Sequence, residues 1–323
     1  MPDLDVGLIG SGTAARTRLA AWLALGARVR VYSPDGRHHR LAAEHAPYHV
    51  TAAVSLRRLL SHSALVDVCT PAHSRHAFVL AAARTGCDTV CELPSAADPT
   101  EARQAADAAE AAGVHLFPAG FERWGATHAS LRRALADGTA EFGPTAVLEF
   151  GRTAARPDRS HRSAAGAGGD GRVLAELSVH DFDLARSLAG EVVRVFAQLQ
   201  AEVQGPPVAA TVVLTHASGT VSLVRGRWVL PGTTVGTTAR LSGPRGEVWQ
   251  HASAPVGPAD ARRPSPWADD DPTVAGLRAF TTAVRTGRPA PVTARDGVMA
   301  ARIVAAARLS AFSGRAVELS AED

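Results

Sequence analysis

The sequence predicts an α/β protein: a doubly wound parallel sheet, then an α+β domain built on a large, mostly antiparallel open sheet. Three observations predict it. Over residues 1–121 short apolar runs alternate with helical patterns, the signature of βαβ units. A G-x-G-x-x-A turn falls between the first apolar run and the first helical one. After the first 120 residues the rhythm changes, and from residue 192 long strand-like runs are separated by Gly and Pro. A length of 323 residues makes two domains the default, with expected boundaries of 1–121 and 122–323 and room for the last helices to pack back on the first domain.

In the first domain, strands are expected at 6–9, 29–32, 48–50, 65–69, 89–91 and 114–118. Helices are expected at 14–25, 37–45, 56–62, 75–85 and 99–112. The second domain opens with a helix at 129–136, stopped by Asp137-Gly138, and a strand at 145–150. An Arg-, Gly- and Ala-rich stretch over 152–171 leads into a helix at 173–189, which Gly190 ends. Strands follow at 192–203, 208–216, 221–229, 234–241 and 247–251. A Pro- and Asp-rich linker, 254–272, precedes helices at 274–286 and 296–312.

Composition excludes several function classes. Hydrophobic residues make up 46% and charged residues 20%, an ordinary globular balance. The net charge is +3, and the arginines are scattered without interleaved aromatics, so no nucleic-acid partner is expected. No apolar run approaches the ~18 residues of a membrane span, and no signal peptide is evident. Cys69, Cys87 and Cys91 are too few for a disulfide framework, so a cytoplasmic location is expected. Cys87 and Cys91 lack two further ligands, His180, Asp181 and Asp183 cannot converge on one ion, and no metal is expected. The chain contains no lysine and no asparagine; all 34 basic residues are arginine. A Walker A loop, a Schiff-base lysine and a lysine general acid are thereby excluded.

The glycine turn carries the first chemistry. Gly10 allows the tight turn, Gly12 lets a pyrophosphate approach the backbone, and Ala15 permits close helix packing. Gly10, Ser11, Gly12, Thr13 and Ala14 therefore read as the dinucleotide site of a Rossmann domain, against the alternative of a turn that binds nothing. At the end of the second strand the usual acid position holds Ser33, with Arg37 close behind. A hydroxyl and a guanidinium suit a 2′-phosphate, so NADP is the preferred cofactor. NAD is the alternative, with Asp35 meeting the ribose 2′-OH.

Thr70-Pro71, Arg75-His76-Ala77, Cys91-Glu92-Leu93-Pro94 and the run from Gly171 to Asp183 follow in an order that resembles the Gfo/Idh/MocA family of oxidoreductases. The resemblance covers nearly the whole chain. It implies hydride transfer with NAD(P) on sugars, cyclitols or related carbonyl compounds. It implies a cofactor on the N-terminal domain, touching Thr70, Pro71 and Glu92, and a substrate beside His73, Leu93, Arg123 and Trp124. The departures matter as much. The family's Glu-Lys-Pro motif stands here as Glu92-Leu93-Pro94, so the lysine that contacts cofactor and substrate and often relays the proton is gone. The aspartate four residues before the histidine is Glu176, and Glu122 stands where the family often has Asn. A cis Leu93–Pro94 bond is implied as well.

Hydride addition to a carbonyl builds charge on oxygen that something must protonate. Tyr32 and Tyr48 are the only tyrosines, and both fall early in the first domain. His180 is the remaining general acid, with Glu176 at i−4 placed to orient it; the alternative is a histidine that only packs. With no lysine, reduction of a keto group, or of an imine already carrying its proton, needs least acid help. A non-redox lyase, isomerase or cyclase using Glu176 and His180, or a cofactor-binding regulatory protein, are the competing functions. Arg152, Arg156, Arg159 and Arg162 lie in the 152–171 stretch, read either as a lid drawing in an anionic small-molecule substrate or as a solvated loop. An apolar open sheet face predicts a homodimer or homotetramer.

Overall fold

The computed structural model describes residues 4–45, 48–136, 146–155, 172–201, 207–230, 233, 235–243, 248–252 and 271–320. The chain divides into two compact units, Met1–Trp124 with Pro264–Ala301 and Gly125–Arg263 with Arg302–Asp323.

The first unit is a six-stranded sheet, every neighbouring pair parallel. Its strands are β1 (Asp5–Ile9), β2 (Arg28–Tyr32), β3 (Val50–Ala52), β4 (Leu65–Val68), β5 (Asp88–Cys91) and β6 (Leu116–Pro118), in the order β3-β2-β1-β4-β5-β6. The order reverses between β1 and β4, and in such sheets ligands bind outside the strand ends at that point. Between the strands run α1 (Thr13–Ala24), α2 (His38–Glu44), α3 (Leu56–Leu60), α4 (Ala72–Arg84) and α5 (Pro99–Ala111).

Alternation along each strand feeds two cores. Leu8, Val31, Val90 and Phe117 meet Leu19 and Trp22 of α1 on one face. Ile9, Val66, Val68 and Cys91 meet Leu59, Val79 and Ala105 on the other. Truncating the fully buried Trp22 to alanine would cost ~3–5 kcal/mol. The α5 start follows from its sequence: the Asp98 side chain accepts from Thr100 N at 2.7 Å, and Pro99 needs no donor partner. A strand buried on both faces should be apolar throughout. β4 breaks that rule with Asp67, which is 0% exposed and must find partners.

The second unit carries α6 (Ala126–Ala136), strands β7 (Val147–Ala155), β8 (Val192–Ala201), β9 (Pro207–His216), β10 (Val221–Val229), β11 (Gly236–Ser242) and β12 (Val248–Ala252), and α7 (Val179–Ala189). With β13 (Val317–Glu318) the strands form a sheet in the order β12-β11-β7-β10-β9-β8-β13. The β7–β10 pair is parallel and every other pair antiparallel. Leu148, Phe150, Val212, Leu214 and Val224 are buried on one face, while Val147, Val213, Val221 and Leu223 on the other are only half-buried.

The expected fold class stands; some expected bounds do not. The expected strand at 48–50 lies at Val50–Ala52. The strand expected to stop at 150 runs on to Ala155, which puts Arg152 in the sheet. A short 3-10 turn, Phe121–Trp124, and β13 were not anticipated. Residues 156–171, with Arg156, Arg159 and Arg162 of the expected lid, lie outside the described residues, as does most of the 254–272 linker. The two final helices are α8 (Pro272–Thr286) and α9 (Ala294–Ser313). In the first unit Phe280 of α8 stacks on Phe117 at 4.7 Å between ring centroids. No described helix is long and apolar enough to cross a membrane.

Candidate active site

In the first unit the chain leaves β1 through Gly10, whose φ is +133° and whose N–H donates to Tyr32 O at 2.8 Å. A Cβ at Gly10 would lie 2.6 Å from Cys69 O, so the fold itself demands glycine there. Gly12 is different. It is the N-cap of α1, and a Cβ there would meet no protein atom within 4 Å. Nothing in the protein's own packing requires its small size; a ligand approaching the helix N-terminus does. Thr13 and Ala14, in the first turn, are exposed beside it.

Ser11 Oγ reaches Ser33 Oγ at 3.3 Å, tying this turn to the end of β2. Ser33 in turn donates to Asp35, and Asp35 also accepts from Arg37 N at 3.1 Å and Arg37 Nε at 2.6 Å. Burial works against the Asp35 charge, but the hydrogen bonds from Ser33 and Arg37 outweigh it and hold the carboxyl down at about 2. The guanidinium expected to meet a 2′-phosphate is therefore already matched by a carboxylate.

The ends of β4 and β5 hold the next predicted group. Thr70 is buried, and its Oγ1 has no hydrogen-bond partner among the described residues. Pro71 caps α4, and His73 is exposed on its first turn. The bond between Leu93 and Pro94 is cis, and Leu93 is 2% exposed. The Glu92 carboxylate is drawn into the domain. It accepts from Arg18 Nη2 at 2.7 Å, while Arg18 Nη1 donates to Asp67 at 3.3 Å. Trp22 Nε1 donates to Asp67 at 2.7 Å, and the Arg18 guanidinium lies 4.3 Å over the Phe121 ring. Burial disfavours the Arg18 charge, yet Asp67 and Glu92 more than offset this and raise its pKa. Burial pushes Asp67 up, against the pull of Arg18.

Two residues expected at the substrate are tied into the first unit's packing. Arg123 Nη2 donates to Asp296 at 3.0 Å, and Trp124 packs on Phe117 at 5.7 Å between centroids.

In the second unit, His180 is half-buried on α7. Its approach is wound as a π-helix over Val173–Ser178. The expected i, i+4 hydrogen bond between His180 and Glu176 is not formed. Glu176 is exposed and accepts from Arg172 Nε at 2.9 Å instead. The neighbouring Asp181 is buried and accepts from Arg152 Nη2 at 2.7 Å and Nε at 3.1 Å. Arg152 thus anchors α7 to the sheet and is not a lid residue. Among the described residues no cluster of His, Cys, Asp and Glu is arranged to hold a metal.

Sequence reasoning missed Arg18, Arg75 and the Arg152–Asp181 pair. Asp67 inside an otherwise apolar strand was the one signal available for Arg18.

Two family models match the chain. Residues 4–119 match an oxidoreductase family with an NAD-binding Rossmann fold, and residues 128–249 match a GFO/IDH/MocA C-terminal domain. The chain is 29% identical to the D-apiose dehydrogenase of Paraburkholderia graminis, over 97% of this chain and 88% of that one. It is 32% identical to the myo-inositol dehydrogenase Hyg17 of Streptomyces leeuwenhoekii, over 88% and 90%. Its fold is similar to that of GenD2 from gentamicin A biosynthesis, solved with NAD, with a TM-score of 0.82, 22% identity and coverage of 99% and 97%.

Proposed function

Because the chain belongs to the Gfo/Idh/MocA family of NAD(P)-dependent oxidoreductases, we propose that it reduces a keto or imine carbon of a small polyhydroxylated substrate, with NADH as the donor and His180 as the proton source. The carrying observation is the Gly12 turn, an N-terminal cradle on α1 that the fold does not fill and that a pyrophosphate fits. The orphaned Thr70 Oγ1 supplies a second polar group for the same ligand. When bound, the nicotinamide supplies the hydride.

The protein's own residues do the rest. Asp35, ionised far below neutral pH, accepts from a ribose hydroxyl and repels a 2′-phosphate. Leu93 presents an apolar side chain where a lysine is usual in the family, so the proton falls to His180. The names of the two dehydrogenase relatives, for D-apiose and myo-inositol, support the polyhydroxylated substrate class. The half-buried apolar row Val147, Val213, Val221 and Leu223 supports a homodimer through the open sheet face.

The test is spectrophotometric. NADH is mixed with keto-sugars and keto-cyclitols, and NAD with D-apiose and myo-inositol, while the reduced-nicotinamide band is followed. Turnover is expected with at least one pair, falling ~10²–10⁴-fold in His180→Ala, with NADH affinity unchanged. Full activity in His180→Ala would remove the proton donor from this reading.

A further inference from the structure

Two arginines are buried in the first unit, one on each face of the parallel sheet. Arg18, 3% exposed, comes from α1, whose Leu19 and Trp22 pack on the face lined by Leu8, Val90 and Phe117. Arg75, 7% exposed, comes from α4, whose Val79 and Ala82 pack on the opposite face with Ile9 and Val68. Each guanidinium bridges the C-terminal ends of the same two strands, β4 and β5. Arg18 joins Asp67 on β4 to Glu92, just beyond β5. Arg75 donates from Nε to Thr70 O at 2.7 Å, just beyond β4, and from Nη1 to Pro94 O at 2.6 Å, beyond β5.

Burying a guanidinium is costly, and a well-packed apolar side chain in its place is often neutral or stabilising. Arg18 is compensated by two carboxylates. Arg75 forms no ion pair among the described residues; its hydrogen bonds there go to two backbone carbonyls. A planar fork of donors gives what an apolar side chain cannot: a fixed distance between two acceptors. We propose that Arg18 and Arg75 are positioning residues that set, from both faces, the separation of the C-terminal ends of β4 and β5 and the turns that follow them, and so shape the seat for the nicotinamide half of the cofactor. The proposal rests on the nicotinamide-cofactor reading above. The ADP-ribose half is served by other groups, the Gly10–Gly12 turn and the end of β2, and neither arginine is hydrogen-bonded to those.

That division of labour makes the proposal testable without a known substrate. Dissociation constants for NADH and for ADP-ribose are measured by fluorescence titration on the parent, Arg75→Met and Arg18→Lys, with thermal midpoints alongside. Arg75→Met leaves no buried carboxylate without its partner, and Arg18→Lys keeps the charge but loses the fork. Each variant is expected to weaken NADH about tenfold, the loss of one hydrogen bond to a charged group, while ADP-ribose stays within about twofold. The two effects should be less than additive when combined, because both loosen the same pair of strand ends. If Arg75→Met does not fold, Arg75→Lys serves: one ammonium cannot span both carbonyls, and the same split is expected. Equal weakening of both ligands, or a lowered thermal midpoint with both constants unchanged, overturns the proposal. A parent that binds ADP-ribose but not NADH would instead break the cofactor reading on which it rests.

Discussion

Replacing Asp35 with serine should reverse the protein's choice between the two nicotinamide cofactors. The Asp35 carboxylate is held by Ser33 and by Arg37 N and Nε, which fixes it at the end of β2 next to the glycine turn. A hydrogen bond to a charged group contributes ~1.5–3 kcal/mol. The Asp35 side chain is 40% exposed, so water screens it and the lower end of that range applies, ~1.5 kcal/mol or about tenfold in affinity. Asp35→Ser should therefore weaken NADH about tenfold. It should also tighten NADPH, because Arg37 loses its carboxylate and becomes available to a 2′-phosphate. The assay is fluorescence titration of both reduced cofactors into parent and variant at neutral pH and fixed salt. Tighter NADPH than NADH binding in the parent, or an unchanged ratio in the variant, would refute the reasoning.

Gly12→Ala should leave the thermal midpoint near the parent's while weakening NADH, whereas Gly10→Ala, whose methyl meets Cys69 O, should lower the midpoint itself; scanning calorimetry with NADH titration separates them. Leu93→Lys should lower both stability and activity, because it places an ammonium in a buried apolar site; a more active variant would mean that the apolar group is not serving the substrate. His216 is buried between Gly190 O and Ser222 Oγ, and burial lowers its pKa below 6.5. Its contribution to stability is therefore complete above pH 6.5 and shrinks as pH falls below it, so the thermal midpoint should drop in that window and His216→Gln should flatten the drop. Light scattering at micromolar concentration should give the mass of a dimer or tetramer, and a monomer would remove the role proposed for the open sheet face.

The parallel sheet and its glycine turn were legible because both are local signals. Apolar runs alternating with helical spacing mark βαβ units, and Gly10 and Gly12 mark the turn. The partners were not legible, because they depend on chain folding over long separations. Arg18 meets Glu92, Arg75 meets Pro94, and Arg152 meets Asp181; in a sequence, arginines on helix or strand patterns read as solvated faces. The Glu176–His180 pairing failed for a different reason. Spacing of four puts two side chains within reach but does not choose between partners, and Glu176 pairs with Arg172, four residues before it, rather than with His180, four after. Ser33, Asp35 and Arg37 were all found in the sequence, but not the hydrogen bonds that join them, which depend on how the turn after β2 is wound.

The most direct test of the whole account is the fate of the hydride. With NADH carrying deuterium at both C4 positions and a substrate found in the spectrophotometric survey, mass spectrometry of the product locates the label. Direct hydride transfer predicts one deuterium on the newly formed carbinol or amine carbon, not diluted by exchange with solvent protons. Product formed without that deuterium, or turnover that proceeds equally well with no reduced cofactor present, would contradict it.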